Sequence, residues 1–217
     1  MTNRFQTTAF RLSVNQLAQL PADSGREVAF AGRSNAGKSS ALNAITGRRQ
    51  LARVSKTPGR TQMINVFDVG PGARLMDLPG YGYARVPEAV RRHWHGLLQR
   101  YFEIRESLAG LILLMDIRHP MTPLDRQMLD WCEVRALPCH ILLTKADKLK
   151  RGPAMNQLQQ LRRTLKTEFA AAPGDFFTAQ IFSATTRQGL EEAHAVLDGW
   201  LVADHAGAGE EPPEPLP

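Results

Sequence analysis

Residues 28–46, VAFAGRSNAGKSSALNAIT, constrain this chain more than any other stretch. The apolar run VAFA, closed by a glycine, reads as a short buried strand. Gly32-x4-Gly37-Lys38-Ser39 then matches the pattern of a phosphate-binding loop, and ALNAIT continues as a helix. Each part has a chemical reason. The glycines allow a tight turn whose N–H groups point inward at phosphate oxygens. The helix beginning near Lys38 adds the positive end of its dipole. Lys38 suits the β- and γ-phosphates, and the Ser39 hydroxyl suits Mg²⁺. A strand, such a loop and a helix in direct succession commit the chain to an α/β architecture.

The rest of the sequence agrees. Apolar runs recur at 63–69 (MINVFDV), 73–80 (ARLMDLPG), 111–118 (LILLMDIR), 140–147 (HILLTKAD) and 179–184 (AQIFSA). Helical stripes lie between most of them: Val90, Trp94, Leu97, Leu98 and Tyr101; Leu158, Leu161, Leu165 and Phe169; Leu190, Ala193, Leu197 and Leu201. Alternating strands and helices predict a three-layer fold, a mostly parallel sheet with helices on both faces. The GPG at 70–72 is too short for a crossover, so the strands around it form a hairpin and one strand runs antiparallel. Residues 1–24 read as an N-terminal extension in which FRLSV suits an edge strand, residues 25–203 as one nucleotide-binding domain, and residues 204–217 as a disordered acidic Pro/Gly-rich tail.

Composition narrows the function classes. No run approaches the about 18 apolar residues of a membrane span, and the N-terminus lacks a signal-peptide pattern. Cys132 and Cys139, the only cysteines, sit in or beside apolar segments and read as reduced buried thiols; HWH at 93–95 sets two histidines on diverging helix faces, which does not suit zinc. A cytoplasmic protein with no membrane partner is expected. The net charge is +6, and the tail holds Asp204, Glu210, Glu211 and Glu214 with no Lys or Arg, so the remainder is more basic still. Such a body suits a polyanionic partner, RNA first.

Later segments select the base. DLPG (77–80) ends a strand-like run, as an aspartate on the metal side followed by a γ-phosphate-sensing glycine should. In TKAD (144–147), Asp147 can accept from guanine N1–H and N2–H, a donor pair that adenine lacks, while the Lys145 stem lies along the base. In SAT (183–185), the Ala184 N–H can donate to guanine O6. Each box ends a strand-like run, at the edge of an open α/β sheet where ligands bind.

With GRSNAGKSS followed by LN, SKTPGRTQ (55–62), DLPGYGYA (77–84), MDIRHP (115–120) and LLTKADKL (142–149), the chain resembles the EngB (YihA/YsxC) family of bacterial ribosome-biogenesis GTPases, in the TrmE-Era-EngA-EngB-like class, over about residues 9–201. The resemblance implies a P-loop GTPase fold and a monomeric GTPase that acts on the precursor of the large ribosomal subunit and its rRNA, with a link to cell division and septation. It implies a GTP/GDP site built from Gly32, Arg33, Ser34, Asn35, Ala36, Gly37, Lys38 and Ser39; from Gly59, Arg60, Thr61, Gln62 and Met63 in the first switch; from Asp77, Leu78, Pro79 and Gly80; from Thr144, Lys145, Ala146 and Asp147; and from Phe182, Ser183 and Ala184.

Two threonines, Thr57 and Thr61, could close over Mg²⁺ by their chemistry; the family pattern aligns Thr61, which with Ser39 completes the expected metal ligands. Where many GTPases carry a water-orienting glutamine after DLPG, this chain has Tyr81. Lys38, Asn35, Thr61 and Gly80 are then the expected catalytic set, with slow hydrolysis. Asn35 with a non-glutamine after DLPG resembles the pattern of K⁺-activated GTPases, in which the asparagine oxygen holds a monovalent cation. Arg48, Arg49, Arg53, Lys56 and Arg60 around the first switch, Arg91, Arg92 and Arg100 on the following helix, and Lys148, Lys150, Arg151, Arg162, Arg163 and Lys166 are candidate RNA contacts. The alternative is a signalling switch that acts on a protein effector without RNA.

Overall fold

The parallel strands of one sheet all end at the same edge. The computed structural model describes residues 4–52, 63–82, 88–173 and 176–202. Its strands are β1 (Ala9–Val14), β2 (Arg26–Gly32), β3 (Ile64–Gly70), β4 (Ala73–Asp77), β5 (Leu108–Asp116), β6 (Cys139–Thr144) and β7 (Phe177–Ile181). Its helices are α1 (Lys38–Thr46), α2 (Glu88–Ile104), α3 (Pro123–Val134), α4 (Arg151–Glu168) and α5 (Leu190–Leu201). The sheet order is β1-β3-β4-β2-β5-β6-β7, so the strand that feeds the phosphate loop is central. β3 runs against both its neighbours, β1 and β4, and every other pairing is parallel. This is the mostly parallel sheet with one antiparallel strand that the turn at 70–72 required.

Helices cover both faces. Leu97, Leu98 and Tyr101 of α2, Met128, Leu129 and Cys132 of α3, and Leu158, Leu161 and Leu165 of α4 bury one face with Ala29, Leu111 and Ile141 of the sheet, and Trp94 of α2 is buried too. Ala41, Leu42 and Ile45 of α1 and Ala193, Leu197 and Leu201 of α5 bury the other, against Phe30, Ile112 and Leu142. The stripes read from the sequence therefore face the core; the side chains of Val90 and Arg91 lie outside what is described. Cys132 and Cys139 are free buried thiols, and burial pushes the Cys139 thiol well up.

Several apolar runs overshoot their strands. LILLMDIR leaves the ladder at Asp116, HILLTKAD at Thr144 and AQIFSA at Ile181. The motif residues beyond those points turn out of the sheet, which frees their polar groups for a ligand.

The opposite end of β2 carries a buried charge cluster. Glu27 is fully buried, and its carboxylate accepts from Arg105 Nη2 (2.6 Å) and Nε (2.8 Å) and from Arg74 Nη1 (3.0 Å). The same guanidiniums donate to the carbonyls of Pro21, Ala22 and Ser24. Asp23 accepts the N–H groups of Glu106 and Ser107, at 2.9 and 2.8 Å, which ends α2 and starts β5. Glu27→Gln leaves two largely buried guanidiniums with only the more exposed Asp23 and Asp68 as counter-charges, and should cost about 3 kcal/mol of unfolding free energy, read as a lowered urea midpoint. A shift worth under about 1 kcal/mol would show that solvent already screens the cluster.

Candidate nucleotide site at the carboxyl edge of the sheet

The phosphate loop hangs between β2 and α1, and its shape is imposed from both sides. Gly32 passes so close to β5 that a Cβ would stand 2.8 Å from the Leu114 carbonyl oxygen, which only glycine avoids. Gly37, the N-cap of α1, has φ +91°. Asn35 also sits in the left-handed region, at φ 64°, where asparagine is tolerated better than most residues. Two left-handed residues bracket Ala36, and the turn is closed by Ala36 N–H on the Arg33 carbonyl (2.9 Å). Successive N–H groups in such a turn form an anion-binding concavity at the start of α1. Arg33 and Asn35 are exposed, and Ser34, Gly37, Lys38 and Ser39 are half-buried at its rim.

The neighbouring strand ends stitch this loop in place. On the β4 side, the chain through Asp77, Leu78, Pro79 and Gly80 runs beside it: Leu78 N–H donates to Phe30 O (3.0 Å), Tyr81 N–H to Gly32 O (3.3 Å) and Ser34 N–H to Tyr81 O (2.7 Å). On the β6 side, the Thr144 hydroxyl bridges Ala36 O (2.5 Å) and Met115 O (3.0 Å). A residue expected to touch the base thus also carries the phosphate loop.

Lys38 and Asp77 meet as an ion pair, both largely buried. Asp77 is held further by Asn65 Nδ2 (3.1 Å), whose own oxygen accepts from the Ser13 hydroxyl at 2.6 Å. This chain of contacts ties β1 and β3 to the phosphate loop. The sequence carries no local signal for Asn65, because its partner is set by the β3–β4 register, in which Asn65 lies opposite Asp77.

On the base side, Lys145 adopts φ 60° and starts the short turn Ala146–Lys148. Ala146 N–H donates to Phe182 O (3.1 Å), and Phe182 N–H to Leu143 O (2.8 Å), so the TKAD and SAT loops are one unit. The Ser183 hydroxyl donates to Asp147 Oδ1 at 2.6 Å. That hydrogen bond, with Lys148 nearby, holds the Asp147 carboxyl below its usual range. Ala184 lies half-buried in the turn that follows. The Lys145 ammonium reaches Asp116 Oδ2 at 2.9 Å. Asp116, the aspartate of MDIRHP, also takes a two-pronged contact from Arg118 (2.9 and 2.6 Å). Arg118 first, and Lys145 after burial is offset, keep Asp116 ionised far below the usual carboxylate range. Both carboxylates therefore stay charged as pH falls through the ordinary range and lose their ionic contacts only below it.

The four described boxes therefore meet at one edge. Met63 is exposed at the start of β3, and Gly59, Arg60, Thr61 and Gln62, with Thr57, lie outside the described residues. Besides Asn65, two further positions escaped the sequence reading. One is Asp116, whose contact with Lys145 depends on the β5–β6 pairing of Asp116 with Thr144. The other is Asn43, the asparagine of LN, whose side chain accepts from Ala52 N–H (2.8 Å) and donates to Ala52 O (3.0 Å), pinning the root of the first switch. Arg162 departs from its expected place in a basic patch near the nucleotide: it donates to Ala179 O of the edge strand β7 at 2.7 Å. Asp116→Asn removes the charge that holds Lys145 and should weaken di- and triphosphate guanine nucleotides alike, by about 1 kcal/mol or five- to tenfold. Titration with fluorescent nucleotides reads this, and a loss confined to the triphosphate would refute the assignment to the base side.

Comparison with known proteins agrees with this geometry. Residues 27–145 match the family model described as "50S ribosome-binding GTPase". The probable GTP-binding protein EngB of Azoarcus sp. (strain BH72) is 53% identical over 96% of this chain and 97% of that protein. That of Stenotrophomonas maltophilia (strain K279a) is 52% identical over 93% of this chain and 98% of its own length. Among solved structures, a probable GTP-binding protein EngB superposes with a TM-score of 0.64 over 81% of this chain and 98% of the other, at 19% identity, a likeness of fold. With its boxes assembled on one sheet edge and relatives matched from end to end, the chain belongs to the EngB family of GTP-binding proteins and is a GTPase.

Proposed function

We propose that this GTPase is a nucleotide-gated assembly factor for the large ribosomal subunit: GTP orders its switches, the basic surface then binds the subunit precursor through rRNA, and hydrolysis releases it. By its family resemblance it also serves cell division and septation, acting in the cytoplasm as a monomer. The observation that carries the reading is the convergence of the phosphate loop, Asp77–Gly80, Lys145–Asp147 and Ser183 on one edge, with Lys38 and Asp77 already in contact. The family description supports the ribosomal partner, and so does the charge: Lys148, Lys150 and Arg151 are exposed beside that edge, and Arg48 and Arg49 are exposed past the end of α1. Arg92 and Arg100 are exposed too, each facing an acid of its own helix.

The geometry supports a role for each described residue. On nucleotide binding the Lys38–Asp77 pair would exchange partners: Lys38 would hold the phosphates and Asp77 would face Mg²⁺, so no buried charge would be left without a counter-charge. The residues suit that ion, because Ser39 and Asp77 supply oxygen donors. Mg²⁺ keeps few protein ligands, so phosphate and water would complete its shell. Thr61 joins only in the GTP state. Asp147 reads the guanine N1–H and N2–H, and its contact with Ser183 fixes the carboxylate plane.

Binding to the precursor should need GTP and fall by orders of magnitude between low and moderate salt if several arginines touch phosphates. Sedimentation of lysate with GTP, GDP or a non-hydrolysable analogue, followed by identification of the bound particle, tests this; Arg48→Glu with Arg49→Glu should weaken association and leave GTP affinity intact. Association that ignores both salt and nucleotide would point to a protein effector instead.

Tyr81 cannot orient the attacking water in the manner of a glutamine, because its hydroxyl is turned to Asp125 of α3. Asn35, exposed at the loop apex, offers an amide oxygen suited to a monovalent cation. A K⁺ ion held there would supply positive charge where the transition state gathers negative charge. K⁺ should accordingly stimulate turnover well beyond Na⁺ at constant ionic strength, and Asn35→Ala should abolish the difference while sparing GDP affinity. Equal wild-type rates in KCl and NaCl would leave Asn35 as a residue of loop geometry alone.

A further inference from the structure

Tyr81 is anchored three times. Its N–H and carbonyl bond to Gly32 and Ser34 of the phosphate loop, and its hydroxyl donates to Asp125 Oδ1 at 2.8 Å. Asp125 is buried in the first turn of α3 and is itself immobilised. Its other oxygen accepts the Thr122 N–H (2.9 Å) and hydroxyl (2.7 Å), and its own N–H donates to Thr122 Oγ1 (3.4 Å) in a reciprocal cap. Burial, then Asp125, push the phenol far above its ordinary pKa, so the hydroxyl remains a donor.

Packing does not hold the ring by itself. A cavity of about 70 Å³ lies beside it, lined also by Trp94, Leu98, Met128 and Trp131, so the ring has room to shift once its hydrogen bond is gone. Gly80, one residue earlier, rests on the phosphate loop: a Cβ there would stand 3.7 Å from Gly32 O and from Ser34 N. The anchors on either side of Gly80 are Leu78, bonded to Phe30, and Tyr81.

We propose that Tyr81 is a positioning residue: its hydrogen bond to Asp125 latches Gly80 in the register against the phosphate loop at which the Gly80 N–H meets a γ-phosphate, and so sets the preference for GTP over GDP. GDP has no γ-phosphate and asks nothing of Gly80, so the latch acts on one nucleotide and not the other. The same bond carries the nucleotide state into α3, because a shift of Gly80 pulls on the cap of that helix. The proposal rests on Gly80 sensing the γ-phosphate, which is part of the gated reading above, but not on the ribosomal partner.

The test measures affinities of the full chain for GDP and for a non-hydrolysable GTP analogue. Tyr81→Phe should lower analogue affinity about tenfold and change GDP affinity less than about twofold. Asp125→Asn keeps an oxygen for Thr122 and an amide that can bond the phenol, so it should retain most of the preference. The double variant should be no worse than Tyr81→Phe alone, since both changes act on the same contact. Equal losses for the two nucleotides in Tyr81→Phe would mean a merely structural role, and an unchanged ratio would mean no role in sensing; either overturns the latch. Because affinity and not particle binding is read, a wild type that binds no ribosomal particle refutes the assembly reading alone.

Discussion

The phosphate loop must present several N–H groups to one point, and a loop left to itself would not hold that shape. Here the shape is imposed by main-chain and hydroxyl contacts from three neighbouring strand ends. β5 presses its Leu114 carbonyl against Gly32, β6 sends the Thr144 hydroxyl to Ala36, and the chain after β4 exchanges hydrogen bonds through Tyr81 with Gly32 and Ser34. These contacts exist only because parallel strands end at a common level and release their chains there. The cost of ordering the loop is thus met by the sheet, before any ligand arrives.

Charge is handled in the same way on both sides of the site. Each of the two lysines expected to meet the nucleotide already has a carboxylate: Lys38 has Asp77 and Lys145 has Asp116. The two pairs differ in what can displace them. Asp116 is shared with Arg118, so it stays neutralised even when Lys145 moves along a base. Asp77 is shared only with neutral Asn65 among its described contacts, so taking Lys38 away calls for a cation in its place. The phosphate side is therefore built for an exchange with a metal and an anion together, and the base side for a fixed scaffold.

Local pattern made much of this legible. The strand–loop–helix succession, the hairpin at 70–72 and the core stripes need only near neighbours in sequence, and the structure places each as read. What stayed hidden depends on register across the sheet. Asn65 faces Asp77, and Asp116 lies level with Thr144, because of pairings between segments that no local period encodes. The strand ends were overrun for a related reason: the exit at Asp116, Thr144 and Ile181 is set by where the neighbouring strand stops offering partners, which the run itself does not encode. Arg162 read as a surface charge near the nucleotide, but the open edge of β7 offers an unpaired carbonyl and the guanidinium takes it.

β2 separates stability from action along its own length. Its first residues carry Glu27, locked between Arg74 and Arg105 and strapped by the carbonyls of residues 21–24. Its last residue, Gly32, opens the phosphate loop. The far end is held by short charge-assisted bonds inside the core, which have one satisfied arrangement and resist change. The near end is held by single bonds from backbone and hydroxyl groups, each worth little on its own. A disturbance at the nucleotide edge can therefore loosen Tyr81, Ser34 or Thr144 without reaching the cluster that keeps the sheet together. A GTPase needs this asymmetry, since its loops must change partners at every turnover while the strands that carry them do not.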